Sequence, residues 1–424
     1  MSKLSRRRTL LGLAGAASAA RLAAPAIAQT APAGRVQVEL FGLATTNWDG
    51  VIEHFHRDHP NITVKSTRFG TDEMKQALRV GASSGQMPNL WFNWGGSLAS
   101  PYNRAGLSLD LTDRVKELKL DQTLVPTAIT LASDGGRLYG VPNRVVPMSI
   151  VFRNEMLERA AVEPPRTFAE LESACEKLRA KNIIPFSLGG KYSWMTMRFT
   201  DFFMEHFAGP DEHDRILAME SSWESEPVVK AFTKLREWVT KNYFNPGFLN
   251  VDPATNMTLL YQGRAAMVFE VPNVDLTRLK RENIDAKTYG TVIAPSDHPR
   301  KRVSGFQHQL QISARAPAEV QNAALFFATY VVRPDLAVRH MAIIGAPSAV
   351  RGAMPAEEFP LQRQWATWLQ GDVSLYLPGD QALPQEVVAA YFEAQDMVVL
   401  GTLKPQEAAA QVQKAITAYK SRRN

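Results

Sequence analysis

The sequence predicts an α/β protein of two lobes, and three observations support this fold class. Strand-like alternation and helix-like periodicity take turns from residue 36 onward, which is typical of a mainly parallel sheet covered by helices. Hydrophobic residues make up 45% of the chain, enough for a large core. The chain has 424 residues, whereas single cores stop growing near ~250–300 residues, so a second lobe is expected.

The first part of the chain predicts a β-α-β-α-β unit. Residues 36–40 alternate in polarity as a half-buried strand, and a helix separates them from a second strand at residues 62–64. Thr71 is expected to cap the next helix, whose apolar side chains recur at three- and four-residue spacing. Residues 89–93 are the third strand. This order of elements predicts a mainly parallel sheet in the first lobe.

The remainder predicts further strands joined by helices. Residues 145–152 have the pattern of one strand. Residues 167–170 (TFAE) form a capping box, in which a hydroxyl and a carboxylate satisfy free N–H groups at a helix start. Strands follow at residues 184–188 and 265–270, and the chain beyond residue 316 is mostly helical. We therefore expect a second α/β lobe and a helix-rich C-terminal half.

The N-terminal residues predict an export signal. Residues 5–11 (SRRRTLL) contain a twin arginine, and an alanine- and leucine-rich stretch leads to the small-x-small pattern AIA at residues 26–28. That stretch is too short for a stable anchor across a bilayer of about 30 Å. Arg21 favours the twin-arginine route. We expect residues 1–28 to be cleaved after Ala28, which leaves 396 residues in the periplasm with no lipoprotein cysteine after the cleavage site.

Charge and cysteine content exclude several classes of function. The predicted signal holds Lys3 and four arginines but no acidic residue, so the mature chain has 43 basic against 42 acidic residues, a net charge of +1. This balance gives no reason to expect a nucleic-acid partner. The only cysteine, Cys175, can form neither an internal disulfide nor a zinc–thiolate or iron–sulfur site. No cofactor motif is present, and we expect no cofactor.

Ordered motifs along the chain resemble those of a known family. They include PNLW at residues 88–91, AGLSLDL at 105–111, DGGRLYGVP at 134–142, PPRTFAE at 164–170 and GRAAM at 263–267. Shorter matches are IGAP at residues 344–347 and the segment 401–408. In this order they resemble the extracellular solute-binding proteins of family 1, the maltose-binding-protein-like sugar receptors of ABC importers.

The resemblance implies a type II periplasmic-binding-protein fold, in which hinge-linked lobes close over a central ligand cleft. The N-terminal lobe would comprise residues 29–143 and about 292–345. The C-terminal lobe would comprise residues 147–289 and about 349–424. It further implies a protein that is not an enzyme, acts as a monomer and has two partners, a small-molecule ligand and the inner-membrane ABC permease subunits. The ligand would be a mono- or oligosaccharide.

Candidate ligand-binding residues come from loops at the carboxyl ends of strands, where open α/β sheets bind ligands, and from the expected crossings between lobes. Sugars expose C–H faces and hydroxyl edges, so a receptor needs aromatic rings, amides, carboxylates and guanidinium groups. For Trp48, core packing is an equal alternative, and Arg144 could instead bridge the lobes. The candidates are Thr45, Thr46, Asn47, Trp48, Trp94, Gly95, Asn143, Arg144, Trp194, Glu270, Asn273, Phe306, Gln307 and His308.

Departures from the family pattern leave two alternatives open. Sugar receptors of the family commonly carry Gly and Trp after the AAM strand, whereas this chain has residues 268–273 (VFEVPN). Glu270 there could accept ammonium donors, so the alternative cargo is a polyamine or another amine. A periplasmic carbohydrate-active enzyme is the second alternative, since carboxylates are plentiful although no nucleophile motif is present.

Three histidines in one predicted helix suggest a metal site at first sight. His54 and His56, however, point about 200° apart on a helix, so they cannot converge with His59 on one metal ion. A solvated helix face is the preferred interpretation, and no metal is expected.

Overall fold

The computed structural model describes residues 32–300, 302–371 and 373–422. The predicted export signal, residues 1–28, lies outside the described residues. Within the described part of the chain, no helix combines the length and the apolar character needed to cross a bilayer. The strands are β1 (Val36–Leu43), β2 (Ile62–Phe69), β3 (Leu90–Asn93), β4 (Ser133–Asp134), β5 (Arg137–Leu138), β6 (Val141–Pro147), β7 (Ser149–Arg153), β8 (Ile184–Ser187), β9 (Ala265–Glu270), β10 (Tyr289–Ile293), β11 (Arg302–Ile312) and β12 (Ser374–Tyr376).

Helices cover both faces of the sheets and dominate the C-terminal part. In chain order they are α1 (Trp48–Asp58), α2 (Thr71–Ser84), α3 (Gly96–Arg104), α4 (Leu120–Thr123), α5 (Pro126–Ala132), α6 (Asn154–Arg159), α7 (Phe168–Ala180), α8 (Trp194–Ala208), α9 (Pro210–Leu217), α10 (Glu226–Thr240), α11 (Thr258–Tyr261), α12 (Leu276–Arg281), α13 (Ala318–Val331), α14 (Ala337–Ile344), α15 (Pro360–Gln370), α16 (Gly379–Ala382), α17 (Gln385–Leu400) and α18 (Pro405–Ser421).

The larger sheet has six strands and contains the predicted β-α-β-α-β unit. Its order is β12-β11-β3-β1-β2, and β6 also pairs with β11. β1 is parallel to both β2 and β3, whereas β11 is antiparallel to β3 and β6. The carboxyl ends of β1 and β3 therefore meet at one edge of this sheet, where the loops with the predicted ligand residues begin.

The smaller sheet has the order β10-β7-β9-β8. β8 and β9 are parallel, while β7 is antiparallel to β9 and β10. The first five residues of β9 are all buried, as expected for a continuous apolar run in a sheet covered on both faces. Two sheets with separate helical covers confirm the predicted α/β class.

The strand predicted at residues 145–152 is in fact two strands in different sheets. β6 belongs to the larger sheet and β7 to the smaller one, and Met148 lies between them. The Met148 backbone N–H donates to the Ser304 carbonyl at 2.8 Å, which fixes the point where the chain passes from one sheet to the other. Periodicity missed this break because both strands are apolar and only one residue separates them.

The helix starts show one confirmed and one wrong prediction. The Thr167 hydroxyl accepts the Glu170 backbone N–H at 3.1 Å, as the capping box requires. Thr71, in contrast, does not cap α2; it is the first helical residue, and Gly70 occupies the cap position without a side-chain hydrogen bond. An acidic first turn with Asp72 and Glu73 favours this helix start through the helix dipole instead.

Candidate functional site

Trp94 lies just after β3, at the edge where the predicted ligand loops begin. Its side chain is 7% exposed, and its ring meets the Phe92 ring edge-on at a centroid distance of 4.6 Å. The Asn93 side-chain oxygen accepts the Trp94 N–H at 2.7 Å and so fixes the turn. Gly95 follows with φ +79°, and a Cβ there would meet the Gln307 amide nitrogen at 2.0 Å. The position therefore requires glycine.

Lys75 lies beside both Trp94 and a second tryptophan, Trp194, which begins α8 on the smaller sheet's lobe. The Lys75 ammonium lies 5.6 Å from the Trp94 ring centroid and 5.7 Å from that of Trp194, within cation–π range of both. It also pairs with Asp72 at 3.3 Å. The Trp194 indole N–H donates to the Asp72 carboxylate at 3.4 Å. The first turns of α2 and the start of α8 thus form one polar and aromatic cluster.

Arg198 extends this cluster one turn along α8. Its guanidinium carbon lies 4.8 Å from the Trp194 ring centroid, and its Nη1 donates to the Glu270 carboxylate at 2.8 Å. The two side chains are only 8% and 20% exposed. The same Glu270 oxygen accepts the Val271 backbone N–H at 2.9 Å. Glu270, predicted as a free acceptor for ligand, therefore already has a cationic partner.

Asp380, in α16, brings a third carboxylate to the cluster. Burial raises the pKa of this carboxyl group, and the positive charges of Lys75 and Arg198 oppose the increase. A hydrogen bond to α8 holds this segment in place, because the Gly379 N–H donates to the Asp201 carboxylate at 2.8 Å. No motif in the sequence identified Asp380, since it stands alone in a short turn almost 200 residues after Arg198.

Phe306, His308 and Arg144 form a row on neighbouring strands β11 and β6. The rings of Phe306 and His308 stack at 5.7 Å, and His308 meets Phe92 edge-on at 4.8 Å. Arg144 is the direct cross-strand partner of His308. Burial, and then the Arg144 charge, hold the pKa of His308 well below its usual value, so the imidazole is neutral at pH 7. Burial lowers the pKa of Arg144 to about 10, so it keeps its charge.

A cavity of about 490 Å³ adjoins this cluster between α2 and α3. Trp94 and Lys75 line both the cavity and the cluster. Gln385 lies at its border and donates to the Ser97 hydroxyl at 2.9 Å. Its size lies in the range of small-molecule pockets. Apolar side chains form much of its wall, among them Leu78, Leu98, Tyr102 and Leu107.

The first predicted loop lies apart from this cluster. Asn47 caps α1 by accepting the Gly50 N–H at 3.2 Å, and its amide donates to the Ile343 carbonyl at 3.3 Å. Trp48 is 1% exposed and packs in the core beside Phe327, at a centroid distance of 6.4 Å. Thr46 is buried and Thr45 exposed. In the described ranges, no hydrogen bond or ring contact joins these four residues to Trp94 or Trp194.

The predicted amides have different surroundings. Gln307 is fully buried, and neither end of its amide has a partner among the described residues. The Asn143 amide nitrogen is likewise buried without one, while its carbonyl accepts the Ala349 N–H at 2.9 Å. Asn273 accepts the Val274 N–H at 2.8 Å and the Gln362 amide at 2.5 Å. Gln307 and Asn143 thus retain capacity for further hydrogen bonds, whereas Asn273 is already engaged.

The helix α1 histidines are neither a metal site nor the solvated face that the sequence favoured. His54 is 4% exposed, and its Nδ1 lies 3.3 Å from Nε2 of His340 and 3.0 Å from the Tyr330 hydroxyl. His56 accepts a backbone N–H from β2 at 2.9 Å, and His59 packs edge-on against Tyr330. The solvated interpretation fails because α1 packs against α13 and α14. The described residues contain no group of side chains suited to a metal ion.

Residues 50–366 match the family model of bacterial extracellular solute-binding proteins. An uncharacterized ABC transporter extracellular-binding protein of Pyrococcus horikoshii is 22% identical over 224 residues, 52% of this chain and 51% of that protein. The chain spans about half the length of the curated relatives it matches.

Two solved structures share the fold over nearly the whole chain. One, from work on xylan utilization by the thermophilic bacterium Caldanaerobius polysaccharolyticus, has a TM-score of 0.79 and 19% identity, covering 89% of this chain and 99% of that one. The other, a chitin oligosaccharide binding protein, has a TM-score of 0.78 and 20% identity, and the match covers 90% of this chain and 98% of that one. These likenesses confirm the predicted two-lobe α/β fold.

Proposed function

The chain belongs to the bacterial extracellular solute-binding proteins, and from this premise we propose that it binds a carbohydrate between its lobes and delivers it to the permease of an ABC importer. The observation that carries the proposal is the pair of tryptophans on either side of Lys75. Trp94 follows a strand of the larger sheet, whereas Trp194 starts a helix that packs on the smaller sheet through Phe199. Aromatic faces with charged donors between them suit the C–H faces and hydroxyl edges of a sugar.

The similar proteins support a sugar as cargo. One structural neighbour is a chitin oligosaccharide binding protein, and the other comes from work on xylan utilization. Their low identity to this chain leaves the particular sugar open. We propose a mono- or oligosaccharide whose ring stacks on Trp94 or Trp194 while its hydroxyl groups meet Lys75, Arg198 and Asp380.

Charges in the cluster favour this cargo over an amine. A polyamine needs several carboxylates without cationic partners. Glu270 pairs with Arg198 and Asp72 pairs with Lys75, so of the cluster's three carboxylates only Asp380 has no ion pair with a described residue. The nearby guanidinium of Arg144 would also repel an ammonium ligand. An amine receptor is therefore less compatible with this site than a sugar receptor.

We propose that the protein catalyses no reaction. Hydrolysis of a glycoside by the usual route requires two carboxyl groups that flank the bond, one acting as an acid and the other as nucleophile or base. Of the cluster's three carboxylates, Asp72 and Glu270 already accept hydrogen bonds from Lys75 and Arg198, so Asp380 stands alone rather than as one of a pair. Recovery of a bound saccharide unchanged after long incubation is the expected result, and a shortened product would favour the carbohydrate-active enzyme.

Export and assembly form part of the same proposal. We propose that residues 1–28 act as a twin-arginine signal cleaved after Ala28, that the mature chain works as a periplasmic monomer, and that the permease recognises its closed form. N-terminal sequencing of the exported protein should begin at Gln29, and light scattering should give the mass of one chain. An uncleaved N-terminus or a dimer would contradict these parts without affecting the cargo.

A thermal-shift screen tests the cargo. We would heat the purified protein with mono-, di- and oligosaccharides, polyols and polyamines. A ligand at 100 times its Kd adds about 2.7 kcal/mol of apparent stability, which raises the melting temperature measurably. A saturable shift with one class of sugar is expected. A shift with polyamines alone would replace the sugar by an amine.

A further inference from the structure

Arg144 is an unusual cation in this structure. Within residues 32–300, 302–371 and 373–422, its guanidinium makes no hydrogen bond, ion pair or aromatic contact, although it is partly buried. Among the described residues, the fully buried arginines have carboxylate partners, Arg198 with Glu270 and Arg302 with Glu205. The partly buried Arg236 and Arg363 each donate to a backbone carbonyl. Arg144 therefore differs from these arginines in having neither a carboxylate nor a carbonyl acceptor among the described residues.

The electrostatic surroundings of Arg144 do not compensate for this missing partner. Burial alone accounts for the reduced pKa of the guanidinium, with no contribution from a nearby acid. The residue across the strand, His308, is neutral at pH 7. Leaving a buried charge unpaired is unfavourable, and such groups normally acquire a counter-charge and hydrogen bonds. The missing counter-charge is thus expected to arrive with a ligand.

The position of Arg144 on β6 places it on the ligand side of the sheet. Alternate residues of a strand face opposite sides. Val146 belongs to the core cluster that contains Trp94 and residues of the smaller sheet, whereas Val145 belongs to the other core cluster. Arg144 has the same parity as Val146 and so faces the same side of the larger sheet as that cluster.

A row of ring contacts runs from His308, which lies across the strand from Arg144, to Trp94. His308, its cross-strand partner, contacts Phe92 at 4.8 Å, and Phe92 contacts Trp94 at 4.6 Å. Arg144 thus lies on the same face of the larger sheet as Trp94, on which the sugar is proposed to stack. The planar fork of arginine binds a carboxylate through two parallel hydrogen bonds, a geometry that lysine lacks.

We infer that Arg144 binds a carboxylate of the cargo and that the cargo is an acidic saccharide, a uronate sugar or an oligosaccharide containing one. This inference rests on the proposed sugar-receptor function and specifies the class of sugar. Asn143, whose buried amide nitrogen has no partner among the described residues, is adjacent in sequence and could supply a second donor. The site would then discriminate acidic from neutral sugars by charge rather than by shape.

The test compares acidic sugars with their neutral counterparts. Calorimetric titration of the purified protein would use galacturonate against galactose, glucuronate against glucose, and digalacturonate against a neutral disaccharide. Glucose 6-phosphate serves as a separate anionic probe. Binding at least tenfold tighter for a uronate than for its neutral counterpart is expected. Tighter binding of the phosphate than of any uronate would overturn the assignment of a carboxylate.

Two substitutions test the role of Arg144 itself. Arg144→Gln should remove the preference for the uronate, with affinity falling tenfold or more, while Arg144→Lys should retain part of it. Because the wild-type charge is unpaired, the ligand-free Arg144→Gln variant should melt at the same temperature as wild type or higher. A lower melting temperature together with unchanged uronate affinity would show a structural bridge between lobes and overturn the inference.

The outcomes separate this inference from the proposed function. Neutral sugars that bind as tightly as uronates, or more tightly, would overturn the acidic cargo and leave the sugar receptor standing. A complete lack of binding by acidic and neutral saccharides alike would overturn both.

Discussion

Two glycines show how single residues set the geometry of the site. Gly95 has φ +79° and lies beside the Gln307 amide. This backbone conformation of Gly95 forms the turn that follows Trp94. Gly85, at the end of α2, has φ +72°, yet a Cβ there would meet nothing within 4 Å. Both positions have positive φ, but Gly95 has ψ −161°, a region open essentially to glycine alone, whereas Gly85 has ψ +10° in the left-handed helical region. Gly95 therefore has both the stricter backbone requirement and the smaller space.

We predict that alanine at these two positions lowers the free energy of unfolding by unequal amounts. Gly85→Ala should lower the free energy of unfolding by about 1 kcal/mol, the cost of a left-handed conformation. Gly95→Ala should cost ~1–3 kcal/mol more, because its Cβ overlaps Gln307 and its backbone lies in a region open essentially to glycine alone. Denaturant unfolding of both variants measures the difference. Adding Gln307→Ala should recover part of the Gly95→Ala loss; equal losses in the two single variants would contradict this account of the turn.

Helix α8 shows how one element connects the site with the protein interior. Its first turns carry Trp194 and Arg198, which face the cluster. Further along, Asp201 accepts hydrogen bonds from the Tyr391 hydroxyl and the Gly379 N–H, each at 2.8 Å. Burial raises the pKa of Asp201 to about 6, although both hydrogen bonds and the charge of a neighbouring histidine act against the increase. This carboxyl group holds the segment that contains Asp380.

The raised pKa of Asp201 predicts a pH dependence of stability. Between its ordinary pKa of 3.8 and about 6, the folded state binds this proton and the unfolded state does not. The contribution of Asp201 to the free energy of unfolding should therefore increase as the pH falls from 7 to 4 and decrease as it rises through 6.

A comparison with Asp201→Asn isolates this contribution from the other titrating groups. Denaturant unfolding at pH 4 to 7.5 should show that wild type gains stability relative to Asp201→Asn as the pH falls. The control Asp211→Asn removes an exposed carboxylate on α9 whose side chain is 93% accessible, and it should show no such slope. A pH-independent difference between wild type and Asp201→Asn would exclude the raised pKa.

The whole molecule combines two lobes, and polar contacts at the site join α2 to α8. The Trp194 indole donates to Asp72, and Lys75 lies over Trp194. Contacts of this kind form only when the lobes approach, and ligand that touches both lobes stabilises that arrangement. The chain passes between the two sheets at Met148.

We predict that ligand makes the molecule more compact. Small-angle scattering of the purified protein should give a smaller radius of gyration with a saturating saccharide than without it. Asp72→Ala combined with Lys75→Ala should weaken this change, because it removes the polar contacts that join α2 to α8. An unchanged radius on saturation would contradict closure over the ligand.

The sequence was sufficient for the β-α-β-α-β start and several later elements, but it missed β11, the strand that carries Phe306, Gln307 and His308, and it identified only part of the site. Alternating patterns identified β1, α2 and the capping box of α7, since each depends on neighbours in the chain. Lys75, Arg198 and Asp380 were missed, because their proximity arises only when α2, α8 and α16 pack together. Residues 145–152 were predicted as one strand, because a change of sheet at a single apolar residue leaves no mark on periodicity.

The most direct test of the receptor account is calorimetric titration of a saccharide into wild type, Trp94→Ala, Trp194→Ala and Trp368→Ala. Trp368 is a partly buried tryptophan of α15 and serves as the control. The account predicts binding of one ligand per chain by wild type, with affinity about tenfold lower or worse in each cluster variant, a loss of about 1.4 kcal/mol, and little change in the control. Equal affinity in all four proteins, with the sugar bound, would place the ligand elsewhere and contradict the site described above.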